Sequence, residues 1–243
     1  MKNKYENDLF EAAKNDDLKG VKTALLRGAR VNVRDRWGET PLIYAAQGTS
    51  IEVVSLLLEK EAKIDCKGED NWTPLFYAVD RKRTEIAKLL VDREANINAK
   101  DTRGKSVFYL AVSSRNLEII DYLIDRGVDM STITRGNRTP LMVAIAHPSN
   151  FELTKRLVDA GADLNLLPLD IFGNALIYST NGEGAKTLKF LLKSDLMYFD
   201  THIKGRSIFD SLKNPINPQD DFSEAIEFLE GWRKDLIKPK NDA

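Results

Sequence analysis

Two histidines, one cysteine and many carboxylates are the residues with the most obvious chemistry in this 243-residue chain. His147 and His202 stand 55 residues apart, and neither has a second histidine or cysteine at zinc-binding spacing. Cys66 has no nearby histidine to activate it, so an inert thiol is expected. "GTS" at Gly48–Ser50 and "NGEG" at Asn181–Gly184 lack the glycine run followed by Lys-Ser/Thr of a phosphate loop. Adjacent acids occur at Glu69-Asp70 and Asp220-Asp221, as solvated loop acids usually do. Nothing assembles an acid, a base and a pocket. No catalytic residue, metal ligand or cofactor is therefore expected.

Bulk properties narrow the partner more than the chemistry does. Lys and Arg number 36 against 37 Asp and Glu, a net charge of −1. Such balance disfavours broad binding to nucleic acid or to an anionic membrane. The start, "MKNKYENDLF", has charge but no apolar core behind it, and no apolar run approaches the length of a membrane span. The single cysteine fits a reducing compartment, so a cytoplasmic location is expected, with non-classical export compatible with the same features.

The elements that would carry any site are set by a repeat. "ETPLIYAAQ" at Glu39–Gln47 returns as "WTPLFYAVD" at Trp72–Asp80. Thr40, Thr73, Ser106 and Thr139 follow one another at 33 residues; Ala175 and Ser207 continue the series at 36 and 32. Two residues before each stands Gly38, Asn71, Gly104, Asn137, Gly173 or Gly205, the types that most easily take positive φ. Thr before Pro predicts a helix start at Thr40-Pro41, Thr73-Pro74 and Thr139-Pro140. Small residues at Ala45, Ala78, Ala111 and Ala144 would admit a close neighbouring helix. A second helix follows in "IEVVSLLLEK", "TEIAKLLVDR", "LEIIDYLIDR" and "FELTKRLVDA", closed by Gly28, Gly127 or Gly161 in their respective units, with Glu61 and Glu94 at the same position in two others. Neither helix is long enough to stand alone, so stacked pairs must share one core.

"TPLIYA", "TPLFYA", "TPLMVA", the 33-residue period and the endings "GARVN", "EANIN" and "GADLN" resemble the ankyrin-repeat family over nearly the whole chain. The resemblance implies an all-α solenoid of helix-turn-helix units with finger-like loops between them. One domain over 1–243 is expected: a capping half-unit at about 1–34, five repeats over 35–201 and a divergent cap at 202–243. The family's histidine after Leu is replaced by Ile43, Phe76, Tyr109 or Met142, so its hydrogen bond to the Thr hydroxyl is absent. Extra residues around "HPSN" and "LLPLD" are expected to loosen the later units. "FSEAIEFLEGWRKDLIK" is expected to form an amphipathic closing helix, with Phe222, Ile226, Phe228, Leu229 and Trp232 as its packing residues.

The family also implies where a partner binds: finger tips and the exposed side of the first helices. Carried onto this chain, the tips are Arg36, Trp37 and Glu39; Glu69, Asp70 and Trp72; Arg103 and Lys105; Arg135 and Arg138; and Phe172. Arg81 lies behind them at a helix turn, with Gln47, Ser113, Ser114 and His147. Trp37, Trp72 and Phe172 are rings of the kind that anchor interfaces, with local packing as the alternative for each. Arg103, Lys105, Arg135 and Arg138 form a basic run suited to an acidic protein surface. The expected function is non-catalytic binding of a folded protein, as inhibitor, effector or scaffold. Two alternatives share the sequence: a nucleic-acid-associated regulator using the basic fingers, and an enzyme accessory module with a site in the C-terminal unit.

Overall fold

The computed structural model describes residues 4–136, 138–146 and 151–163, together with 187, 190–191, 202–203, 206–207, 223 and 226–227. Contacts divide the chain into two compact units, Met1–Gly136 and Asn137–Ala243.

The first unit holds four helix pairs. They are α1 (Lys4–Lys14) with α2 (Leu18–Leu26), α3 (Pro41–Gln47) with α4 (Ile51–Glu59), α5 (Pro74–Asp80) with α6 (Thr84–Asp92), and α7 (Val107–Ser114) with α8 (Leu117–Asp125). First helices touch in the series α1, α3, α5, α7, and second helices in the series α2, α4, α6, α8. The expected half-unit at the N-terminus is in fact a full helix pair. In the second unit α9 (Pro140–Ile145) packs on α10 (Phe151–Asp159).

Sequence explains the stacking. Ala45, Ala78 and Ala111 are fully buried, and their small methyl side chains suit close approach of successive first helices. Beside them lie Leu42, Leu75 and Phe108, and the second helices add Leu57, Leu90 and Leu123, all fully buried. This is one apolar seam running through the unit rather than separate cores. Polar groups hold adjacent pairs in step. Asn32, Asp65 and Asn98 each accept a backbone N–H from one unit further on, at Lys63, Asn96 and Asp129, over 2.7–3.0 Å. Asp16 accepts both the N–H and the hydroxyl of Thr49 at 2.7 Å.

The helix starts follow expectation with one exception. Thr40, Ser106 and Thr139 hydroxyls each accept the backbone N–H three residues on, at 3.1–3.3 Å. Thr73 makes no such cap, and its hydroxyl is buried without a hydrogen-bond partner. The finger before it also differs from its neighbours, as described below.

At the helix ends, Gly28, Gly127 and Gly161 take φ of +92°, +73° and +89°, and Glu61 and Glu94 take +63° and +67°. A side chain in this region costs free energy that glycine does not. Glu94→Gly is expected to raise stability by at most about 1 kcal/mol. An unchanged or lower melting temperature would place the strain elsewhere.

Among the described residues the fold is helical apart from short strand pairings. Lys100 bridges Ser106 in one finger. In the second unit β1 (His202–Ile203) pairs antiparallel with β2 (Arg206–Ser207). His202 therefore lies on β1. His147, "HPSN", "LLPLD" and "NPINPQDD" lie outside the described residues. Of the expected closing helix, only Ser223, Ile226 and Glu227 are described, and they are helical.

Candidate protein-binding surface

The first and third fingers are tight turns organised from their bases. In the first, the Asp35 carboxylate accepts the N–H groups of Trp37 at 2.8 Å and Glu39 at 2.9 Å, and the Tyr44 hydroxyl at 2.7 Å. The third repeats this two periods along: Asp101 accepts the N–H groups of Arg103 and Lys105, both at 2.8 Å. An aspartate at the base folds its own loop by satisfying two backbone donors. Gly38 and Gly104, at φ +83° and +76°, complete the turn.

The second finger lacks this aspartate, because the equivalent position is Gly68. The space is taken by Glu39, reaching across from the first finger. Its Oε1 accepts the Glu69 N–H at 3.1 Å and the Tyr77 hydroxyl at 2.7 Å, as Asp35 does for its own turn and for Tyr44. A Cβ on Gly68 would lie 2.2 Å from Glu39 Oε2. Burial pushes the Tyr77 hydroxyl far up in pKa, and the Glu39 carboxylate adds to the shift, so the phenol stays a donor. Arg34 ties the same two fingers, donating to Gly38 O and, at 2.7 Å, to Lys67 O.

These contacts correct the expectation for Glu39. It is no exposed tip: only 7% of its surface reaches solvent, because it replaces the missing base residue of the next finger. Trp72 is half-buried, stacked on Phe76 at 5.6 Å and edge-on to Tyr77 at 5.2 Å, so its packing is local. Glu69 and Asp70 are exposed. Asp70, at φ +54°, accepts the Thr102 N–H on its carbonyl at 2.9 Å and the Thr102 hydroxyl at 3.1 Å.

Trp37 differs from Trp72. It is 56% exposed, with the Arg36 guanidinium 3.9 Å above its ring. Beside it Phe10, Glu11, Lys14 and Tyr44 line a cleft of about 370 Å³ between α1, α3 and the first finger. An exposed indole capped by a cation combines apolar area with charge at one point.

Farther along, the Arg135 N–H donates to Arg103 O at 2.9 Å, setting these two exposed residues side by side on consecutive fingers. Neither guanidinium has an ion-pair partner among the described residues. Lys105 is half-buried, its ammonium 5.6 Å from the Tyr109 ring centre. Arg81 is exposed beside Asp80 at 3.7 Å, and the Ser113 and Ser114 hydroxyls bond back to their own helix. Gln47 accepts Arg83 on its carbonyl at 3.0 Å. Arg138 is exposed and belongs to the second unit. Phe172 lies outside the described residues. Cys66 is buried against the Thr40 hydroxyl, and burial pushes its thiol pKa up, against nucleophilic use.

Spacing alone did not single out Asp35, Arg34 or Tyr44 as organisers of the surface. The signal existed: "DRWG" and "DTRG" share a phase, and "GEDN" breaks it.

The serial helix pairs and their projecting fingers agree with comparison to known families. Residues 9–101 and 98–167 match the description ankyrin repeats (3 copies), and the chain belongs to that family. Members are generally protein–protein interaction modules and are typically non-catalytic. A search of curated proteins finds no match to the chain. No described helix is long and apolar enough to cross a membrane.

Proposed function

We propose that this protein binds a folded partner protein through the fingers and first helices of Met1–Gly136, without catalysing a reaction. The observation that carries the proposal is Trp37, left exposed under Arg36 at the rim of an aromatic cleft on a finger fixed by Asp35. Aromatic and arginine anchors dominate interface energetics, and a preformed loop lowers the ordering cost of association. Arg103 and Arg135 favour a partner with an acidic patch, since their side-by-side charge would steer such a surface. Inhibitor, effector and scaffold all use this contact.

The test begins with affinity capture by the intact protein and identification of what is retained. Equilibrium binding is then compared with a variant carrying Arg36→Ala, Trp37→Ala, Arg103→Glu and Arg135→Glu. These side chains are exposed, so the melting temperature is expected to hold, while affinity falls by more than about tenfold, or 1.4 kcal/mol. A folded variant that keeps every partner at full affinity sinks the proposal. Retention of nucleic acid with a steep salt dependence would instead support the regulator that uses the basic fingers.

A further inference from the structure

The second helices carry a different feature, on residues that the fingers do not use. Each of the five described ones ends on a residue at equivalent position: Leu26, Glu59, Asp92, Asp125 and Asp159. Four are acids. The first is leucine, and it is 88% exposed. One later junction shows what the acid does. Asp92, at the end of α6, accepts the Tyr122 hydroxyl of α8 at 2.6 Å and Arg126, just beyond α8, at 2.5 Å. Arg126 is the residue that caps the end of α8, and its equivalent after α4 is Lys60. At the first junction, therefore, the cation is present and its carboxylate is missing.

A groove of about 500 Å³ runs there, between α2 and α4. Its lining is Leu25, Leu26, Ala29, Val31 and Leu56, together with Lys22 and Lys60. Neither ammonium has a hydrogen-bond or ion-pair partner among the described residues. The volume falls within the range of roughly 300–1,000 Å³ typical of ligand sites.

We propose that this groove docks a partner's peptide segment carrying apolar side chains beside carboxylates. The apolar side chains cover Leu25, Leu26 and Leu56, and a carboxylate supplies Lys60 with the charge that Asp92 supplies to Arg126. The site is separate from the finger surface, so both can be occupied at once.

The test uses the full chain and a fluorescein-labelled amphipathic peptide with leucines on one face and glutamates on the other. Fluorescence anisotropy is expected to show saturable binding that weakens with added salt. Leu26→Glu restores the acid found in the other units, so it should leave the melting temperature no lower and weaken the peptide by at least about tenfold. Lys60→Ala should weaken it as well, and a leucine–lysine peptide should not bind. The variant Trp37→Ala should bind the peptide as the parent does. No saturable binding, equal binding of both peptides, or full affinity in Leu26→Glu would each overturn the proposal. So would a parent dimer that Leu26→Glu dissociates, since the face would then belong to a second copy of the chain. Preferential binding of phosphatidylserine vesicles that Leu26→Glu abolishes would likewise replace the peptide with a lipid surface.

Discussion

Glu39→Ala is expected to destabilise the protein by about 2 kcal/mol, because it strips the Tyr77 hydroxyl and the Glu69 N–H of their shared acceptor. Gly68→Asp alone is also expected to destabilise, since the new side chain would meet the Glu39 carboxylate at the position of its Cβ. The informative variant is the double one. With Glu39 cut back to alanine, an aspartate at 68 would occupy the place that Asp35 and Asp101 hold in their own fingers. It would accept the turn's N–H groups and the Tyr77 hydroxyl locally. Gly68 has φ −94°, outside the left-handed region, so the aspartate requires only that ψ relax from −147° into the extended range. The native arrangement also leaves Glu39 Oε2 buried without a partner, a cost the local aspartate need not carry. The double variant is therefore expected to recover most of what either single change loses, a favourable coupling of about 1–3 kcal/mol in a thermodynamic cycle. Simple additivity in urea unfolding would show that the two positions do not exchange roles.

Phe108→Ala should cost more, about 3–5 kcal/mol, the range for removing a buried phenylalanine. The ring is fully buried in α7, at the position held by Leu42 and Leu75 in the preceding first helices. In a linear array each helix pair is stabilised mainly by its neighbours, so the loss should be local before it is global. Hydrogen exchange should show α7 and α8 losing protection first, with α1 to α4 retaining most of theirs. Uniform loss across all four pairs would mean that Met1–Gly136 unfolds as one cooperative block.

How much of this was legible in the residues differs between fold and surface. The Thr-Pro starts, the buried alanines and the positive φ at Gly38, Asn71 and Gly104 are local signals, repeated at one phase, and each matches its element among the described residues. Thr73 shows the limit: the same dipeptide starts α5, yet its hydroxyl finds no partner, because a cap depends on tenths of an ångström that the dipeptide does not specify. For the surface, position in the repeat was a good guide to backbone and a poor one to exposure. Glu39 and Trp72 occupy equivalent positions, and both turn inward, one to replace an absent aspartate and the other to pack on Phe76. Trp37 stays out because Asp35 satisfies its turn from within. The difference lies in what the neighbouring finger lacks, which appears only when repeats are compared position by position.

Fingers three and four meet through peptide groups, the Arg103 carbonyl with the Arg135 amide. A joint made of main chain is indifferent to what projects beyond it. The two arginines can thus be exchanged for almost any residue without unfastening the array, and evolution can rewrite the message at those points while the page stays bound.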